Sequence, residues 1–96
     1  MPNRVWVVAE YGEELHIEGD LLVLWSVESK QATLYRTLET YIEPSQGIID
    51  KWHYAERPYW VNPETHLFRM LEEVETREEV ETQADISAMF ESVPPL

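Results

Sequence analysis

Asn62-Pro63-Glu64-Thr65-His66-Leu67-Phe68-Arg69-Met70-Leu71-Glu72-Glu73-Val74-Glu75-Thr76 is the stretch on which the fold class turns. Asn62 suits a helix N-cap, because a short side-chain oxygen there accepts from the orphan N–H groups of the first turn. Pro63 suits the first helical position, where its missing N–H costs nothing. Leu67, Met70, Leu71 and Val74 then recur at i, i+3, i+4 and i+7, the apolar stripe of an amphipathic helix. The pattern predicts a helix from Pro63. The stripe loses phase after Thr76, since Val80 and Ala84 do not continue it, so a hinge or bend is expected in the acidic run that follows.

Beyond the break, Ile86, Met89, Phe90 and Val93 form a second short stripe. Thr82-Gln83-Ala84-Asp85 has the form of a capping box, in which the first and fourth side chains each satisfy the other's backbone N–H. A shorter helical segment is expected from about Gln83, stopped by Pro94-Pro95.

Upstream the signals are those of strands. Arg4–Tyr11 is β-branched and aromatic on both parities, as in a strand covered on both faces. Gly12-Glu13-Glu14 marks a turn, Leu15-His16-Ile17-Glu18 alternates, and Gly19-Asp20 turns the chain into the apolar run Leu21–Val27. Ser29–Glu43 reads both ways. Leu34, Tyr35, Leu38, Tyr41 and Ile42 fit a helical stripe, whereas Leu34, Leu38 and Ile42 share one face of a strand, and Thr33, Thr37 and Thr40 favour extended backbone. The strand reading is preferred, with Glu28–Gln31 closing a hairpin. Ile48–Tyr54 reads as a further strand after the Pro44–Gly47 break. The expected fold is therefore α+β: an antiparallel sheet of four to five strands over residues 4–54, an amphipathic helix from Pro63 and the shorter segment from about Gln83. Residues 1–96 are expected to form one domain, with 77–96 as a semi-independent acidic segment.

Composition bounds function by exclusion. Nineteen acidic against seven basic residues in 96 give a formal net charge of −12. The excess is uneven: Glu64–Glu91 holds nine acids against Arg69 and Arg77, a net of −7, while the first 63 residues hold ten against five. Free nucleic acid and anionic membranes both demand a basic face, so neither is expected as a partner. The absence of Cys removes disulfides, thiolate metal sites and a Cys nucleophile, and fits a reducing compartment. The longest apolar run, Leu21–Trp25, is far shorter than a membrane span, and Met1-Pro2-Asn3-Arg4 lacks the basic n-region and long apolar h-region of a secretory signal. A soluble, cytoplasmic protein is expected.

Chemistry-bearing motifs are missing. His16, His53 and His66 show no metal-ligand spacing, no nucleophile elbow surrounds any Ser, and the three glycines make no phosphate-cradling loop. No catalytic residue, metal site or cofactor is assigned. Two features suit contact with another protein. Glu72, Glu73, Glu75, Glu78, Glu79 and Glu81 form an acidic face, which can be simply solvated or can meet a basic cleft, in the limit imitating nucleic-acid phosphates against a nuclease or transcription protein. Trp52–Trp60 is rich in large rings, and Tyr59 and Trp60, beside Pro58 in an expected loop, have the composition of interface anchors.

Gln83-Ala84-Asp85-Ile86-Ser87-Ala88-Met89-Phe90 resembles a sliding-clamp-binding peptide, with Gln83, Ile86 and Phe90 matching and Met89 in place of the first aromatic. The resemblance implies a plug of Ile86, Met89 and Phe90 anchored by Gln83. Packing of the same three side chains on the domain's own core is the preferred reading. The function expected is a non-catalytic acidic interaction module, an inhibitor or adaptor for a basic protein partner. The alternatives are an accessory subunit that buries the Trp52–Trp60 aromatics and the C-terminal helix in a larger assembly, and a small enzyme with an unrecognised site.

Overall fold

A computed structural model describes residues 12–42, 47, 50, 51, 58–62, 64, 65 and 67–93, with residues 39, 41 and 42 described by their backbone alone. Among the described residues, the strands β1 (Glu13–Glu18), β2 (Leu21–Ser26), β3 (Gln31–Ile42), β4 (Tyr59–Val61) and β5 (Leu67–Arg77) precede the C-terminal helix α1 (Gln83–Glu91). The sheet is antiparallel, with strand order β1-β2-β3-β5-β4. An α+β fold with an antiparallel sheet thus matches the coarse expectation, whereas β4 and β5 lie outside the expected span of residues 4–54.

The first two hairpins follow from local chemistry. Glu18 pairs with Leu21, which leaves Gly19-Asp20 as a two-residue loop. Gly19 sits at φ +58°, a conformation open to glycine at the first loop position and compatible with the strands' right-handed twist. Ser26 pairs with Gln31 across the four-residue turn Val27–Lys30, which Lys30 closes in the left-handed region at φ +60°. The strand reading of 31–42 therefore holds, and the register shows why. Val23 meets Leu34 and Trp25 meets Ala32 on one face, while Leu22 meets Tyr35 on the other. In these three pairs apolar side chains gain apolar cross-strand neighbours, which a helical winding of the same residues would scatter.

Two expectations are corrected. The helix foreseen from Pro63 does not form, because Leu67–Arg77 is strand β5, paired with β4 through Tyr59–Met70, Trp60–Arg69 and Val61–Phe68. Phe68, which the helical stripe left on its polar side, is fully buried, whereas Val74, a member of that stripe, is 40 % exposed. The aromatic strand beside it overrides the local helical pattern. Asn62 does cap, but it caps a turn. Its Oδ1 accepts from the backbone N–H of Glu64 at 2.9 Å and Thr65 at 3.3 Å, and its own N–H donates to the Leu67 carbonyl at 2.9 Å. The bonds that open a helix here close the β4–β5 hairpin. Second, Gly47, Asp50 and Lys51, within or beside the expected strand Ile48–Tyr54, are helical. The rest of that segment, and the strand expected at Arg4–Tyr11, lie outside the described residues.

The chain groups into two compact units: Met1–Val8 with Thr37–Glu72, and Ala9–Arg36 with Glu73–Leu96. In the first, Tyr59 stacks on Phe68 with ring centroids 5.1 Å apart, and the Arg69 guanidinium lies 5.8 Å from the Trp60 ring. In the second, Val23, Trp25, Ala32 and Leu34 on the sheet enclose Val80, Ile86 and Met89, with Leu21, Phe90 and Val93 partly buried against them. Full burial of Ile86 and Met89 contributes about 1.5–3 kcal/mol each, which holds a helix of nine residues that is too short to persist alone. The capping box is present. Thr82 Oγ1 accepts from the Asp85 N–H at 3.3 Å, and Asp85 Oδ2 accepts from the N–H groups of Thr82 at 3.0 Å and Glu81 at 2.9 Å.

Candidate acidic interaction surface

The division into units locates the charge. Residues 9–36 and 73–96 hold thirteen acidic against three basic side chains, a net of −10, while the other unit holds six against four, a net of −2. Within the acidic unit the strands gather carboxylates at one end. Glu13 starts β1 opposite Ser26, the last residue of β2, and the Ser26 hydroxyl donates to Glu13 Oε2 at 3.1 Å. Glu14 follows, with its Oε2 3.1 Å from His16 Nε2, and Glu28 stands exposed in the β2–β3 turn.

The bend after β5 is fastened to that same turn. The Val80 N–H donates to the Lys30 carbonyl at 2.8 Å, and the Lys30 ammonium meets Glu81 Oε1 at 2.9 Å. Glu78 and Glu79 are thereby held beside Ser29–Gln31, with Glu79 in the left-handed region at φ +62°. A shallow hollow of about 370 Å³ lies between them, lined by Ser29, Lys30, Gln31, Glu78 and Glu79. Among the described residues Glu78 and Glu79 make no ion pair or side-chain hydrogen bond. Arg36, the third cation of the unit, pairs in register with Leu21 at the opposite end.

The expected acidic residues therefore divide by strand geometry. Glu78, Glu79 and Glu81 belong to the acidic end. Glu72 and Glu73 are exposed on β5, but Glu72 closes the first unit and Glu73 opens the second, and Glu73 accepts from the Thr76 hydroxyl at 2.9 Å. Glu75 is engaged by Arg77 at 3.3 Å and by the Ser92 hydroxyl at 3.2 Å. Glu13, Glu14 and Glu28 join the end without having been singled out in the sequence. The signal that could have found them is the hairpin register, which brings the turns before β1 and after β2 together.

Tyr59 and Trp60 lie on β4 rather than in a loop, and are only 5 % and 8 % exposed. Their rings join β4 to β5. Burial, and secondarily the Asp50 carboxylate, hold the Tyr59 phenol above its ordinary pKa. Of the clamp-like peptide, Gln83 is exposed, Ile86 and Met89 are fully buried and Phe90 is half-buried against the same cluster. The plug is seated in its own unit's core.

No helix among the described residues is long and apolar enough to cross a membrane. No family model, curated protein or solved structure matches the chain.

Proposed function

We propose that this chain is a non-catalytic protein–protein interaction module, a small inhibitor or adaptor that docks a basic surface of a protein partner through the acidic end of its second unit. The observation that carries the reading is the concentration of charge: a net of −10 in one unit, with Glu13, Glu14, Glu28, Glu78, Glu79 and Glu81 gathered at one end of the strands. Such a field speeds encounter with a cationic surface and repels nucleic acid and anionic lipid. Among the described residues Glu78 and Glu79 form no ion pair, and the backbone of their bend is fastened, so a partner's Lys or Arg meets carboxylates that need little reordering. Imitation of phosphates along an acidic helix loses its scaffold, since β5 takes the place of that helix.

Affinity capture from the source cells at about 0.05 M and about 0.5 M salt tests the reading, because the higher salt screens exposed charges beyond a few ångströms. A charge-led partner is retained at the lower concentration and released at the higher. Retention unchanged at both would overturn the proposal in favour of an apolar interface.

A further inference from the structure

We draw no further inference here: the strongest candidate, the shallow hollow between the β2–β3 turn and the bend after β5, lined by Ser29, Lys30, Gln31, Glu78 and Glu79, belongs to the acidic end already described and holds no second feature that points to a ligand.

Discussion

The Trp25 indole N–H donates to the Val80 carbonyl at 2.9 Å, joining buried groups 55 residues apart in the chain. Val80 is the node of the acidic unit. Its N–H is taken by the Lys30 carbonyl, its carbonyl by Trp25, and its side chain packs among Trp25, Ala32, Leu34, Ile86 and Met89. The bend carrying Glu78 and Glu79 is thus fixed from the core side while its carboxylates face solvent.

Trp25→Phe keeps an aromatic ring but leaves the Val80 carbonyl without its donor. An unsatisfied buried acceptor costs about 1–3 kcal/mol. The urea midpoint is expected to fall by the corresponding amount with the slope unchanged. An unchanged midpoint would show that the bond contributes nothing.

Met89→Ala opens the core under α1 and is expected to destabilise by about 2–5 kcal/mol. Ser87→Ala, on the exposed side of the same helix, should stay within about 0.5 kcal/mol of wild type. Equal, small effects for both would mean that Ile86, Met89 and Phe90 are available for a partner, as the clamp-like peptide reading requires.

Asp85 gives the acid limb of stability. Backbone N–H bonds from Glu81, then Thr82, hold its pKa below the ordinary carboxylate value of 3.8. A depressed folded-state pKa means that the unfolded chain binds the proton first, so the stabilisation is complete above the ordinary value and is lost as pH falls through the lower one. Relief of the general carboxylate repulsion acts on wild type and variant alike. The stability difference between wild type and Asp85→Asn should therefore shrink in that acid window and stay constant above it, read from denaturation midpoints across pH. A difference independent of pH would contradict the capping role of the charge.

Tyr59 gives the alkaline counterpart. Its pKa is raised by burial, with Asp50 adding to the shift, so its contribution is intact below the ordinary phenol value and lost as pH rises through the folded one. Spectrophotometric titration should show a late-ionising phenol that Tyr59→Phe removes. If the variant retained the late step, the assignment would fail.

Much of the strand pattern was legible because it is short-range. Leu21–Trp25 is apolar on both parities, Gly19-Asp20 supplies the turn, and Thr82–Asp85 announces its own cap. The misread element was β5. Leu67, Met70, Leu71 and Val74 fit a helical stripe, and Asn62 with Pro63 fits a helix start, yet the Asn62 side chain makes similar bonds in a turn. The deciding information lies in the pairing of Tyr59–Val61 with Phe68–Met70, a tertiary contact that no window over residues 62–76 contains. The scaffold of the acidic run is redrawn in the same place. Read as a helix end followed by a bend, Glu72–Glu81 is one acidic face. With a strand to Arg77 and a bend after it, the run breaks up, and Glu13, Glu14 and Glu28 replace its first members.

The account's central claim is that location, rather than total charge, makes the acidic end a docking surface. The most direct test is capture of the partner retained by wild type at low salt, using two double reversals of equal charge: Glu78→Lys with Glu79→Lys at the acidic end, and Glu18→Lys with Asp20→Lys at the opposite end. All four residues are exposed, and both variants shift net charge by the same amount. Loss of the partner in the first variant and its retention in the second is the predicted result. Equal loss in both, or retention in both, would contradict the claim.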